Sequence, residues 1–284
     1  MPSRPPRAEL FRFPLLLAAA ALVWIAANGR WTAEAWQTPA SYSVDALETL
    51  ARFQLSAEEG LGLLFDPAAS RLGAPWAADW SAYPLPDGPW YALAGLLVRT
   101  LGLIPASNLI LLLAHAAAAL AFYGCARALG HRVPVAAGTA LLFGFSYFII
   151  HRGLSHHSFA LAFIIPPTLL VAFLVGGSRL LLGRRRWQVF CLVIAAAAGT
   201  GSPYFVFMFA QLLGLALLHQ LCTRRQAANL RIGLASLAVC GGVFLLANLP
   251  AIRANYGGGS ESLVSRNYAA TEFPARMDLL WLRD

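Results

Sequence analysis

Carboxylates able to carry out chemistry lie in two restricted parts of this chain. Of its 13 acidic residues, eight fall between residues 34 and 87, and none lies between Gly88 and Ser260. A carboxylate can take a proton from a hydroxyl group when it is held within hydrogen-bond reach. General-base chemistry must therefore use the first of these regions or the segment after Ser260.

The clearest constellation is in SYSVDALETLARF, where Asp45, Glu48 and Arg52 recur at i, i+3 and i+7 and so share one helix face. Two interpretations stay open. The functional one makes Asp45 and Glu48 an outward-facing carboxylate pair able to work as a general base. The structural one makes Asp45 a helix N-cap with Glu48 as its capping-box partner, and Glu48 and Arg52 a surface ion pair.

Two further stretches carry polar groups suited to a substrate. DPAASRLGAPWAADWSAYPLPDGPW holds Asp79 and Asp87 among aromatic residues, which suit either sugar faces or a membrane interface. In HRGLSHHSF, Arg152, His156 and His157 can converge on a phosphate, because Arg contacts phosphate bidentately; plain interfacial positive charge is the alternative. A His pair without matched acidic or cysteine ligands is weak evidence for metal, so metal ligands stay unassigned.

The composition indicates that a membrane positions these groups. The 284 residues are 58% hydrophobic and 12% charged, with a mean hydropathy of +0.62, whereas soluble domains are about 25% charged. The net charge of +8 does not indicate nucleic acid, because the basic residues, all Arg, cluster in loops between apolar runs. The cysteines lie in or beside apolar runs and have neither metal-site nor disulfide-framework spacing: Cys125, Cys191, Cys222 and Cys240.

The distribution of Arg predicts how the chain crosses the membrane, because cytoplasmic loops collect positive charge. If the apolar segment 89–104 lies on the outer surface, 12 Arg and one acid, Glu9, fall inside, and 9 Arg and 12 acids fall outside. If that segment spans, the Arg clusters fall outside. We therefore predict seven spans, the first a retained signal-anchor with a cytoplasmic N-terminus: 13–28, 106–126, 133–150, 159–176, 187–199, 203–222 and 232–250.

Segment 89–104 also has the pattern of an interfacial helix. Tyr91, Gly95, Arg99 and Gly102 form one narrow stripe, and apolar residues fill the opposite side. The alternative is an ordinary short span that carries one Arg.

We accordingly expect an all-α polytopic membrane protein with about seven transmembrane helices and a large first outer loop that contains interfacial helices. The chain 1–284 forms a single membrane domain. Its parts are a first span in 1–28, an outer loop over 29–104 with the juxtamembrane helix 89–104, six further spans over 105–250, and an outer segment over 251–284.

This plan resembles that of the C-type (GT-C) membrane glycosyltransferases, which have one N-terminal span, a long outer loop with an early Asp, and an interfacial helix before the second span. The stretch from PDGPWYALAGLL to GFSYFIIHRG follows their pattern of juxtamembrane helix, span, Arg-bearing turn and span. Uncharacterised bacterial relatives are more similar still. The short motifs that carry this likeness are Val44-Asp45, Leu72-Gly73-Ala74-Pro75, Tyr83-Pro84 with Asp87, and Arg152-Gly153 with His156.

The resemblance implies transfer of a sugar from a polyprenyl-phosphate carrier, with inversion, on the outer face of a bacterial inner membrane. It makes Asp45 the general base; the residues expected to bind substrate are Glu48, Asp79, Asp87, Arg152 and His156. The partners are a lipid-linked sugar donor and membrane lipids, with no nucleic acid. No cofactor is assigned, although a divalent metal ion that bridges carboxylate and phosphate stays open.

The sequence departs from the family in two places. Val44 precedes Asp45 where relatives often carry Gly, and the chain ends where the superfamily has more spans, so we expect a partial chain. The rival hypothesis is a transporter or scaffold for lipid or polysaccharide export. Ion-coupled transporters usually carry ionisable residues within their spans. Those predicted here are nearly free of such residues, which favours chemistry at the outer face.

Overall fold

A computed structural model describes residues 7–42, 44–60, 68–69, 78–79, 87–177, 185–224 and 226–256. Helices dominate this part of the chain, beside one short antiparallel pairing of β1 (Ala68–Ala69) with β2 (Ala78–Asp79). The helices are α1 (Arg7–Ala27), α2 (Ala33–Trp36), α3 (Val44–Glu59), α4 (Gly88–Leu101), α5 (Leu103–Ala128), α6 (Val133–Gly144), α7 (Tyr147–Arg152), α8 (His157–Ala160), α9 (Ile165–Gly176), α10 (Arg185–Gly199), α11 (Pro203–His219), α12 (Ala227–Ala247) and α13 (Leu249–Tyr256).

Within the residues that the structure describes, five helical segments are long and apolar enough to cross a bilayer, which takes about 20 residues at a rise of about 1.5 Å per residue. The chain is therefore a helical polytopic membrane protein. The five segments are Leu103–Ala128, Val133–Arg152, His157–Gly176, Pro203–Thr223 and Ala227–Ala247. The other two predicted spans correspond to shorter elements, the apolar part of α1 (Phe11–Ala27) and the 15-residue α10.

Two of the predicted spans are interrupted. Segment 133–150 divides into α6 and α7 at Phe145 and Ser146. Segment 159–176 begins as α8, passes through a 3₁₀ turn at Ala162–Ile164 and continues as α9, whose first turn holds Pro166. Proline has no amide hydrogen to donate, so it is accommodated in the first turn of a helix, and α9 begins just before Pro166.

Helix α4 is distinct from α5, as the interfacial prediction requires. Its 14 residues extend about 21 Å, and Gly102 separates it from α5 with a φ of 85° that favours glycine. The predicted stripe on α4 faces protein. Tyr91 and Gly95 are buried, and Arg99 donates a hydrogen bond to the Ala57 carbonyl at the end of α3.

The α3–α4 pair is packed closely because Gly95 has no side chain. A Cβ atom at Gly95 would lie 2.5 Å from the backbone carbonyl of Ser56. Buried side chains from α1, α3, α4 and α5 form one apolar cluster around this contact, including Trp24, Phe53 and Ile110. The helix that carries Asp45 is thereby fixed against the first described membrane-length helix.

A second apolar cluster joins the later helices. Val171 of α9, Cys191 of α10, Phe209 of α11 and Cys240 of α12 are all buried in it. This packing holds the turn between α10 and α11 in place, and that turn lies beside α3 and α4 at the candidate site.

Candidate functional site

A polar cavity of about 470 Å³ lies where four segments that are separate in sequence meet. We call it the Asp45 cavity. Its walls come from α3, from the turn between α7 and α8, from α4 and from the start of α11. The lining residues are Asp45, Glu48, Thr49, Arg52, Tyr91, Ser155, His156, His157, Ser158, Phe159, Ser202, Pro203 and Tyr204.

The predicted helical face is confirmed on one wall of this cavity. Asp45 and His156 approach each other, with 3.9 Å between the carboxylate Oδ2 and the imidazole Nε2. Arg52 forms a 2.7 Å ion pair with Glu48 one helical turn away. The side chain of Asp45 is 58% exposed, so its carboxylate is open to a ligand.

Helix α3 begins at Val44, which places Asp45 within the first turn and not at the predicted N-cap. The capping-box interpretation of Asp45 and Glu48 is therefore wrong. A carboxylate in the first turn still interacts favourably with the helix dipole, by about 0.3–1 kcal/mol. This small structural role is compatible with a chemical one.

Tyr91 and His157 line the cavity, and their rings pack against each other and against the buried Phe53 ring. Phe53, Tyr91 and His157 have centroid separations of 5.1–5.9 Å, and the Arg52 guanidinium lies 5.9 Å from the Tyr91 ring centroid. Burial raises the pKa of Tyr91 to about 12, so its hydroxyl stays protonated and can donate a hydrogen bond. Both nitrogens of His157 are buried without a hydrogen-bond partner among the residues described.

Asp87 joins the segments that form the cavity. Its backbone N–H donates to the Thr200 carbonyl at 2.8 Å, and its carboxylate accepts hydrogen bonds from the Ser158 side chain and the Ser202 backbone. Asp87 has a left-handed φ of 63°. Its side chain is therefore a structural link between α4, α8 and the α10–α11 turn.

Burial raises the pKa of Asp87 from its ordinary value of 3.8 to about 7. The hydrogen bonds from Ser158 and Ser202 lower this pKa, but by less than burial raises it. One carboxylate oxygen, Oδ2, is buried without a partner in the part of the chain described. Loss of water around the charged form is the dominant cause. The folded protein therefore holds the Asp87 proton more tightly than the unfolded chain does, and both protonation states are populated near pH 7.

This shift predicts how stability depends on pH. A raised pKa contributes stability that is complete below pH 3.8 and is lost as the pH rises through about 7. We expect the melting temperature of the detergent-solubilised protein to fall between pH 5 and pH 8. Asp87→Asn cannot ionise and tolerates the left-handed backbone, so it should lose much less. An equal fall in both proteins would contradict this role for Asp87.

On the other side of Asp87 lies an apolar groove of about 450 Å³, which we call the Trp90 groove. The Trp90 and Phe163 rings stack at 5.4 Å on its wall. Among the residues that line the groove, Asp87 has an ionisable side chain and Thr200 has a hydroxyl group. The apolar lining is Pro89, Trp90, Leu161, Phe163, Ile164, Ala196, Ala197, Gly201, Phe205 and Val243.

Arg152, predicted to join His156 on a phosphate, borders a different cavity of about 340 Å³, the Arg152 cavity. Ser155 lines both this cavity and the Asp45 cavity, and its Oγ lies 3.4 Å from that of Ser41. The structure thus brings His156, but not Arg152, to Asp45. The lining residues are Trp24, Ala27, Asn28, Ala40, Ser41, Leu111, His115, Phe145, Ile150, His151, Arg152, Gly153, Leu154 and Ser155.

The remaining predicted features fall partly or wholly outside the residues that the structure describes. Asp79 pairs with Ala68 through its backbone, and its side chain is outside the described part. The Leu72–Pro75 and Tyr83–Pro84 motifs and the segment after 256 also fall outside it. Within the described ranges, no group of three or more His, Cys, Asp or Glu residues could hold a metal ion.

Sequence reasoning missed several residues of the Asp45 cavity. Tyr91 was placed at a membrane interface, and Ser202 and Tyr204 were not singled out. The predicted topology did contain a signal for the latter two, because it put the turn before Pro203 on the same side as Asp45. The packing of Tyr91 against α3 depends on tertiary contacts.

Comparison with known proteins gives no match, either to a protein family model, to a curated protein or to a solved structure. The geometry of the two cavities and the groove therefore supplies the functional argument.

Proposed function

We propose that this chain is a membrane glycosyltransferase of the GT-C type, which uses a polyprenyl-phosphate-linked sugar donor on the outer face of a bacterial inner membrane. The observation that carries the proposal is the open carboxylate of Asp45, 3.9 Å from His156 in a polar cavity that adjoins an apolar groove across Asp87. Such a site combines a base, a cationic group and a place for a hydrocarbon chain.

The proposed reaction uses these groups in turn. Asp45 takes the proton of an acceptor hydroxyl, whose oxygen attacks the anomeric carbon of the donor sugar. The bond from that carbon to the phosphate oxygen breaks with inversion, and the polyprenyl phosphate leaves with the electron pair. Arg52 offers positive charge to the leaving phosphate and His156 offers a ring nitrogen for a hydrogen bond, which lowers the barrier.

The Trp90 groove supports a lipid-linked donor over a soluble one. A hydrocarbon chain leaves no unpaired polar group in such a lining, whereas a soluble, polar donor would bury polar groups there. Asp87, whose pKa burial raises to about 7, places less negative charge beside that chain than an ordinary carboxylate would. We assign the carrier tail to this groove and the sugar to the Asp45 cavity.

The fold also supports the proposed orientation, with seven spans that include α1 and α10. The segments predicted to lie outside come together in the Asp45 cavity: α3, the turn at 155–158 and the turn at 202–204. Segments predicted to lie inside also meet, since Gln220 and Asn229 donate hydrogen bonds to the Gly177 carbonyl. The segments predicted to lie outside and the segments predicted to lie inside therefore meet at separate places in the fold, as expected of a chain that crosses a membrane repeatedly.

Turnover of a lipid-linked sugar tests the proposed function. The purified chain, in detergent with a panel of polyprenyl-phosphate-linked hexoses and sugar or lipid acceptors, should release free polyprenyl phosphate. A transporter or scaffold would bind a donor and leave it intact. Binding without release across the panel would contradict the transferase and favour that second class.

A further inference from the structure

We propose that the Arg152 cavity is a second, separate site, which binds the phosphate group of a free phosphate ion or of a lipid headgroup. It lies between the end of α1, the middle of α5 and the α7–α8 turn. This inference does not depend on the transferase activity proposed for the Asp45 cavity.

The charges around the two cavities differ in sign. Asp45 and Glu48 line the Asp45 cavity, whereas the lining of the Arg152 cavity contains Arg152, His151 and His115 and no carboxylate. Among the described residues, no carboxylate forms an ion pair with Arg152. An anion therefore meets attraction in the second cavity without the repulsion that two carboxylates would impose.

Arg152 is held in a geometry that suits an anion. Its guanidinium lies 5.5 Å from the Phe148 ring centroid and 5.4 Å from that of Phe159. Such cation–π contacts hold the guanidinium beside the two rings without using its N–H donors in a hydrogen bond to a protein acceptor. A planar fork of N–H donors matches two oxygens of a phosphate.

His115 adds a fixed polar group deep in the same cavity. Its Nδ1 lies 2.7 Å from the Gly144 carbonyl oxygen, and its ring stacks on Phe145 at 5.1 Å. Because a carbonyl only accepts hydrogen bonds, Nδ1 carries the hydrogen, and Nε2 is left as an acceptor in the neutral ring. A phosphate that retains one O–H can donate to such an acceptor while its charged oxygens meet Arg152.

The hydroxyl groups of Ser41 and Ser155 separate the Arg152 cavity from the Asp45 cavity. Ser41 and Ser155 approach within 3.4 Å and stand between the two cavities. Trp24, only 2% exposed, closes the side nearest α1. A cavity of about 340 Å³ with these walls has room for a phosphate group together with part of the molecule that carries it.

Calorimetric titration of the full chain in an uncharged detergent tests the proposal, with inorganic phosphate and dihexanoyl phosphatidic acid as separate probes. We expect Arg152→Gln to weaken binding about tenfold or more, since a charge-assisted hydrogen bond contributes at least that factor. Binding of both probes would identify the phosphate group as sufficient, and binding of phosphatidic acid alone would identify a lipid headgroup. Either result supports the site when it depends on Arg152.

Three further variants keep the test decisive. His151→Gln changes an exposed residue at the rim, carries little risk to folding and should also weaken binding. Arg253→Gln and Glu58→Gln, which change exposed residues outside both cavities, should leave phosphate binding unchanged. Absence of binding for both probes, or equal binding by wild type, Arg152→Gln and His151→Gln, would overturn the proposal.

Discussion

Replacing Asp45 with Asn is expected to lower the rate of sugar transfer by about 100-fold or more, the scale of general-base catalysis. The amide keeps the size of the side chain but cannot take a proton. The carboxylate is 58% exposed and the imidazole Nε2 of the half-exposed His156 lies 3.9 Å away, so its loss leaves no buried charge unpaired. Removal of a charge from the first helical turn costs at most about 1 kcal/mol, and the melting temperature should change little.

Glu58→Gln is the matched control for this change. Glu58 lies on the same helix as Asp45, is exposed, accepts a hydrogen bond from Gln54 and does not line the Asp45 cavity. It should retain normal transfer. Near-normal turnover by Asp45→Asn would remove Asp45 from the proposed chemistry and leave its carboxylate as a helix-dipole contact.

Gly95→Ala is expected to destabilise the protein and to lower transfer at the same time. The new Cβ would lie 2.5 Å from the Ser56 carbonyl, a backbone group, so α3 and α4 must separate. Overpacking of this kind costs about 1–3 kcal/mol, which exceeds the gain of about 0.5–1 kcal/mol from replacing a helical glycine. Since α3 carries Asp45, its displacement also changes the distance between Asp45 and His156. Thermal unfolding and the transfer assay measure the two effects.

Gly124→Ala is the control, because a Cβ at Gly124 has no neighbouring atom within 4 Å. It lies within helix α5, and the substitution should be neutral or stabilising. Equal melting temperatures for Gly95→Ala and wild type would show that the α3–α4 contact has room for a side chain.

The local helical pattern was sufficient to predict the wall of the Asp45 cavity that α3 forms. The spacing of Asp45, Glu48 and Arg52 places them on one face because helix geometry is fixed by the backbone alone. The contact of Asp45 with His156 joins residues more than 100 positions apart. No local periodicity encodes such a contact; it follows from the packing of α3 and the α7–α8 turn against common neighbours.

Asp87 shows why the rest of the site required the structure. The sequence presents it as an acid in a turn rich in Pro and aromatic residues, suited to a ligand. In the fold it accepts hydrogen bonds from Ser158 and Ser202 and is buried. Its environment is created by the α10–α11 turn, which arrives from residues far along the chain.

Apolar run length predicted the membrane-length helices, since the bilayer sets their length. It did not predict where helices are interrupted. Ser146 divides one predicted span without a proline, and the stripe on α4 faces α3, not solvent. Both outcomes depend on neighbouring helices, which sequence periodicity does not describe.

The most direct test of the central claim is the sidedness of transfer. Sealed right-side-out membrane vesicles that contain the chain receive a water-soluble, short-chain polyprenyl-phosphate sugar donor from outside. The proposed site predicts release of short-chain polyprenyl phosphate at nearly the same rate before and after the vesicles are opened, and loss of that release in Asp45→Asn. Release that begins only after opening, or donor that stays intact in both preparations, would contradict an outer-face transferase.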